Sequence, residues 1–285
     1  MKKYLSIACV SLLVSCTAAK LSVPAAFSTQ AEKLPVKGLN GWMMNQRLSF
    51  GPYKTSVIKR GWDFTASVSY SRFSLRPEEA LLRVFDINTD KATHTQKNKF
   101  QYTLENGNGV AEIFATERFQ EKQLKYRSNN PWIGDASATN RYEYAFTASI
   151  LPLSTTDKTP WSLVLVNKYD RKKDTARGLF ARPVSEEEGY ATNGTEQVTI
   201  RPLRVSKLTT KNGKETTVAG GALLSGYEIA WDNGVVGIID ILDNNIWLAS
   251  NLDDADKLIV SSIASAILLK RMQDVENDKD RIPNT

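Results

Sequence analysis

The amino-acid sequence predicts a mainly β protein, an antiparallel barrel or sandwich of about twelve to fourteen short strands with one apolar helix near the C-terminus. Three observations lead there. Apolar and polar residues alternate with period two in several stretches from residue 62 onward. Asn-Gly and Asp-Asn-Gly turn sequences separate such stretches, and residues 258–269 carry no charge at all. Period two gives a strand one greasy and one wet face, and regularly spaced turns fold such strands back on one another.

Trp62, Phe64, Ala66, Val68 and Tyr70 make the first alternating strand. Pro77 at the head of a short Glu- and Leu-rich run, residues 77–82, suits one or two helical turns. Phe100, Tyr102 and Leu104 alternate next, followed by Asn106-Gly107-Asn108-Gly109 as a turn. Tyr142, Tyr144, Phe146, Ala148 and Ile150 repeat the pattern, whereas residues 161–166 are apolar on both faces, as in a buried strand. Residues 207–211 and 214–219 flank Asn212-Gly213, the strongest short hairpin signal. Asp232-Asn233-Gly234 and then Asn244-Asn245 join three more strands ending at Ala249.

A helix follows. Asn251 or Asp253 can cap it, Asp254 and Asp256 complement the positive end of its dipole, and Lys270 and Arg271 suit its last turn. Leu258, Ile259, Val260, Ile263, Ile267 and Leu269 spread round the whole circumference, and Ser261, Ser262 and Ser265 can bond back to helix carbonyls. A helix greasy all round is a buried one. Twelve residues rise only about 18 Å, too short to cross a bilayer. Paired strands over residues 227–249 running into this helix resemble the tubby-like architecture, a closed antiparallel barrel threaded by a hydrophobic C-terminal helix. The resemblance lies in the order of elements, and no functional residue is carried across from it. The alternative arrangement is a β-sandwich with the helix on one face or over an open end.

Ahead of the β region stands a different signal. Lys2 and Lys3 precede a largely apolar run, residues 4–14, which ends in Leu13-Val14-Ser15-Cys16. This resembles the lipobox of bacterial lipoproteins, in which the cysteine thiol takes a diacylglycerol and the peptidase cuts before it. The competing reading is a secretory signal cut after Thr17-Ala18-Ala19. Cys9 and Cys16 are the only cysteines, so cleavage before Cys16 leaves a mature chain whose single cysteine is its first residue. The resemblance implies a lipid anchor on Cys16 and a place on the outer leaf of the inner membrane or, favoured by Thr17 standing where a retaining aspartate would be, at the outer membrane, and, with no acidic patch after the cysteine, the periplasmic face. The chain then divides into a signal peptide (1–15), a lipidated tether (16–40), one β-rich domain (41–273) and a charged tail (274–285).

Composition narrows the chemistry. Lys2 and Lys3 leave with the signal, so 37 basic residues become 35 against 31 acids, a net charge of +4. That mild excess suits anionic headgroups better than nucleic acid. One mature cysteine precludes an internal disulfide and, with His94 the only histidine, a His/Cys zinc cluster. His94 falls in the polar stretch Asp90–Gln96, read as a solvated loop. No cofactor and no catalytic or metal-binding residue is assigned. Residues 86–90 begin like a calcium loop, but Lys91 and Lys97 stand where glycine and glutamate belong. Asp174-Thr175-Ala176 resembles the O-glycosylation site of some Bacteroidetes.

Asp240 and Asp243, three apart on a strand, point to opposite faces and make a poor acid–base pair, so Asp240 reads as a structural acid bonded to an arginine. Arg171, Lys172 and Lys173 form one basic cluster, and Arg201, Arg204 and Lys207 open a 14-residue stretch, 201–214, without an acid. These are the candidate contacts with an anionic surface, set against their reading as solvated strand edges. The expected function is that of a membrane-anchored envelope lipoprotein, a non-enzymatic binding or assembly module contacting membrane, cell wall or a partner protein. The alternative is a carboxylate-dependent enzyme acting on envelope polysaccharide, which requires two acids facing each other across an open groove.

Overall fold

Period-two alternation commits each strand to one apolar face, and a wide antiparallel sheet hides such faces best by curling on itself. The computed structural model describes residues 23–39, 45–61, 94–126, 136–154, 158–170, 186–209, 215–218 and 222–270. A short helix α1 (Ala25–Ser28) leads into β1 (Ala31–Pro35), β2 (Ser49–Phe50), β3 (Tyr53–Thr55) and β4 (Lys59–Arg60). The longest strands follow: β5 (His94–Glu105), β6 (Val110–Tyr126), β7 (Ala136–Pro152) and β8 (Trp161–Asp170). Next come β9 (Glu186–Thr192), β10 (Gln197–Val205), β11 (Lys207–Thr209) and β12 (Glu215–Thr217). The chain closes with β13 (Leu223–Trp231), β14 (Gly234–Asp240), β15 (Asn245–Ala249) and helix α2 (Asp254–Leu269).

Twelve strands form a nearly closed antiparallel barrel in the order β1-β15-β14-β13-β10-β9-β8-β7-β6-β5-β3-β2, with β4 beside β5 and β11-β12 a separate two-stranded ribbon. The two end strands meet at one bridge. Lys37 N–H donates to the Ser49 carbonyl at 2.9 Å, and Ser49 N–H returns a bond to Lys37 at 3.2 Å. Gly38 makes the approach possible: its φ is +90°, and a Cβ there would stand 1.9 Å from the Arg47 carbonyl oxygen.

Register sets what faces the lumen. Phe100 lies opposite Ala115, Ala115 opposite Ala148, and Ala148 opposite Leu163, and all four are buried. A ring of twelve strands is too wide for such side chains to fill alone, since barrel diameter grows with strand number. Helix α2, about 10–12 Å across with its side chains, takes the remaining space. It packs on β6 and β7 and also on β14 and β15, which lie far across the ring. Leu258, Val260, Ile263, Ala264 and Ile267 are buried, as are Ser261, Ser262 and Ser265. Ser262 Oγ donates to the Leu258 carbonyl at 2.7 Å, and Ser265 shares a 2.8 Å bond with the Tyr102 hydroxyl. A Cβ on Gly237 would come within 3.0 Å of Val260 Cγ1, so the Val260 side chain packs directly on the β14 backbone.

Other expectations are refined. Asp253, not Asn251, caps the helix, accepting from Asp256 N–H at 2.8 Å. Lys270 is the C-cap residue and turns inward instead of serving the last turn from solvent. Residues 31–35, within the stretch read as tether, are a barrel strand paired with β15 along its whole length. His94 begins β5 opposite Glu121, so it belongs to a strand and not a loop. Asp232 and Asn233 take positive φ at the β13–β14 turn, as a tight hairpin requires. The ribbon pairing Lys207 with Thr217 matches the predicted hairpin, whose Asn212-Gly213 tip lies outside the described residues. So do residues 1–16, the strand at 62–70, the helical run at 77–82, the calcium-like stretch, Arg171, Lys172 and Lys173, the Asp174 triplet and the tail.

Candidate functional site

Along the lumen the lining changes from apolar to polar beyond the end of α2. Glu117 lies opposite Phe146 on β7, and Glu187 lies opposite Asn167 on β8; both acids are buried. Lys270 reaches into this layer. Its Nζ donates to the Tyr227 hydroxyl and stands 3.4 Å from Glu187 Oε1, and Tyr227 donates to the same oxygen at 2.6 Å. The ammonium also sits 4.3 Å from the Tyr227 ring centre. Tyr144 Oη is buried and has no hydrogen-bond partner among the described residues; burial pushes its pKa well up, and the charges of Glu117 and Glu187 push the same way. Neither acid faces an open groove, because the Lys270 and Glu187 side chains are only 2% and 1% exposed and Glu117 is buried. The chemistry here is cohesion: two buried opposite charges joined through a phenol.

The opposite side of β9 is open. Even-numbered residues Glu188 and Tyr190 point outward, and Tyr190 stands 42% exposed, one of two exposed large hydrophobic residues among those described. Around it lies a groove of about 630 Å³ over β8, β9 and β10. That volume falls in the range of small-molecule sites, about 300–1,000 Å³. Val164 and Val166 supply an aliphatic wall, Gln197 and Thr199 neutral polar groups, and Lys168, Glu188 and Arg201 charges. Tyr190 is held from both sides, opposite Val164 on β8 and Thr199 on β10. The groove sits where the outer face changes character, since Thr147 and Val164 are buried while Gln197 and Arg201 are exposed.

The predicted basic residues part company. Arg201 borders the groove, two-thirds exposed, 3.9 Å from Glu228. Arg204 lies beyond a register shift between Leu203 and Arg204, and its guanidinium lies 3.9 Å from Glu187 Oε2. Lys207 is exposed at the start of the β11 ribbon. Asp240 is buried, as expected, but its described partners are not an arginine. It accepts from the backbone N–H groups of Leu242 and Asp243 and from Asn245 Nδ2, fastening the β14–β15 turn. Among the described residues no group of three or more His, Cys, Asp or Glu could hold a metal ion.

Tyr190, Lys168 and Glu187 escape a reading of sequence alone. Glu186-Glu187-Glu188 resembles a solvated charge run, yet the pleat sends the middle carboxylate into the barrel. The available signal was Leu163, Leu165 and Ala191: phasing β9 against those apolar residues puts Glu187 and Tyr190 on opposite faces. No protein-family model, curated protein or solved structure matches this chain.

Proposed function

We propose that this chain is a non-enzymatic binding module of the bacterial cell envelope, held at the outer membrane by lipids on Cys16 and working through its outer surface. The observation that carries the reading is the filled lumen. A twelve-stranded barrel has room for a guest, but here α2 occupies it with buried side chains from Leu258 to Leu269. A ligand is therefore left with the outside, where the groove beside Tyr190 is a formed concavity. The barrel around an apolar C-terminal helix also supports the likeness to the tubby-like architecture. Among the described residues no helix is long and apolar enough to cross a membrane. The anchor is read from the lipobox ending at Cys16.

Two measurements test this. Cys16→Ala is expected to block lipidation and to move any mature protein to the soluble fraction; a wild-type chain beginning at Lys20 or beyond without lipid overturns the anchor. A photocrosslinking residue placed at Tyr190 is expected to capture envelope material in cells. The same residue at Asn108, in the β5–β6 turn, is expected to capture little. Capture only at Asn108 would move the working surface to the barrel mouth.

A further inference from the structure

We propose that the groove beside Tyr190 binds an N-acetylated amino-sugar chain, an inference that rests on the outer face being the working surface. Charge sets the first bound on the ligand. Among the described residues Lys168 and Arg201 bring two cations and Glu188 one acid, Glu228 stands 3.9 Å from Arg201 as a second, and the Glu187 carboxylate, though its residue borders the groove, is turned inward to Lys270. With cations and acids matched, the groove offers no net attraction to a polyanion, whose binding scales with uncompensated positive charge. Backbone pairing sets the second bound. β9 is hydrogen-bonded to β8 along its length and to β10 over Gly189–Thr192, so around Tyr190 the groove lies on the face of the sheet and not at an edge. An extended peptide that binds by strand addition finds no free ladder there. Recognition must come from side chains alone.

Those side chains suit a pyranose. The exposed Tyr190 ring presents a negative π-face, to which the C–H groups of a sugar ring, slightly positive, are attracted. Thr199 and Gln197 can exchange hydrogen bonds with hydroxyls or an amide, and Glu188 can accept from either. A plain hexose offers the aliphatic edge of Val164 and the more open Val166 only its ring C–H groups, with no methyl to fill it. An acetamido group supplies a methyl for that wall and an N–H for Gln197 or Glu188. The ladder sets Tyr190 level with Val164 and Thr199, so the backbone under ring and wall needs no ordering on binding.

The test uses the full mature protein in detergent and titrates a soluble tetramer of N-acetylglucosamine against a glucose tetramer of the same linkage. The acetylated tetramer is expected to bind, the glucose tetramer at least about tenfold more weakly, and Tyr190→Ala to lose about tenfold, in line with about 1.4 kcal/mol per decade. Circular dichroism of Tyr190→Ala is expected to match wild type, because the side chain is exposed. Equal binding of the two tetramers, or undiminished binding by the variant, overturns the proposal. If neither sugar binds but vesicles containing anionic phospholipid do, and Lys168→Gln with Arg201→Gln abolishes it, the ligand class is wrong while the outer-face reading stands. If no probe binds and crosslinking at Tyr190 captures nothing, both fall.

Discussion

The Nζ of Lys270 lies 3.4 Å from the Oε1 of Glu187, joining the end of the central helix to the wall strand β9 in a place where neither side chain meets solvent. Breaking such a pair from one side leaves the other charge buried with weakened compensation, at a typical cost of about 3–5 kcal/mol. Lys270→Met is expected to cost that order of stability in urea unfolding, moderated by Arg204, which also approaches Glu187. The double variant Lys270→Met with Glu187→Gln is expected to lose less than the two single losses added together. Strict additivity would mean that the two groups do not interact.

Ile263 is fully buried at the middle of α2. Ile263→Ala is expected to destabilise by about 2–5 kcal/mol. Ile263→Asp is expected to prevent accumulation of folded protein. A chain ending at Asn251, made without its lipid, is expected to be insoluble, because its barrel would have an open apolar bore. If that chain is soluble, folded and monomeric, the helix is not part of the core.

Gly38 and Gly61 form a matched pair. Both have positive φ, +90° and +98°, but a Cβ on Gly38 collides with the Arg47 carbonyl while one on Gly61 meets nothing within 4 Å. Gly61→Ala is expected to cost only the backbone strain, about 1–3 kcal/mol. Gly38→Ala is expected to cost more and to loosen the β1–β2 bridge, seen as faster hydrogen exchange at Lys37 and Ser49. Equal losses in the two variants would deny that bridge a role.

Alkaline pH should unfold the protein through its tyrosines. Burial pushes Tyr53, Tyr102 and Tyr144 above the ordinary value of about 10. Below that value both states hold these protons and the stability is intact. As pH rises from there toward the raised folded values, the unfolded chain has released protons the folded chain retains, so stability falls. Tyrosinate absorbance is expected to rise together with loss of the circular dichroism signal. Ionisation of every tyrosine at its ordinary value with a native spectrum retained would contradict this.

Much of the barrel is readable from sequence because its signals are local. Phe100, Tyr102 and Leu104 announce a strand by period, Asp232 and Asn233 a hairpin by tolerance of positive φ, and residues 258–269 a buried helix by lack of charge. What resists reading is non-local. Nothing within residues 31–35 shows that Leu34 will lie opposite Ile246, so the strand passes for tether. Arg204 looks like its neighbour Arg201, but the two lie three apart on β10 and so on opposite faces, and their partners come from different strands, Glu187 on β9 and Glu228 on β13. The groove is less legible still, since it depends on Val164, Tyr190 and Thr199 being brought level by two separate strand registers.

The place of β1 has a consequence for the order in which the chain can fold. Ala31 lies opposite Ala249, and the strand's other neighbour holds it by the Lys37–Ser49 bridge alone. An early-synthesised segment must therefore wait, its ladder unsatisfied, until nearly the whole polypeptide has emerged. Closure by so remote a pairing is entropically late, and folds dominated by such contacts assemble slowly. Until α2 and β15 arrive, the nascent sheet exposes both a free edge and an apolar concave face, the features that invite aggregation. Folding to the end state is thus tied to the arrival of β15 and α2, and holding factors that shield unpaired strands would matter more for this chain than any aid to its helices.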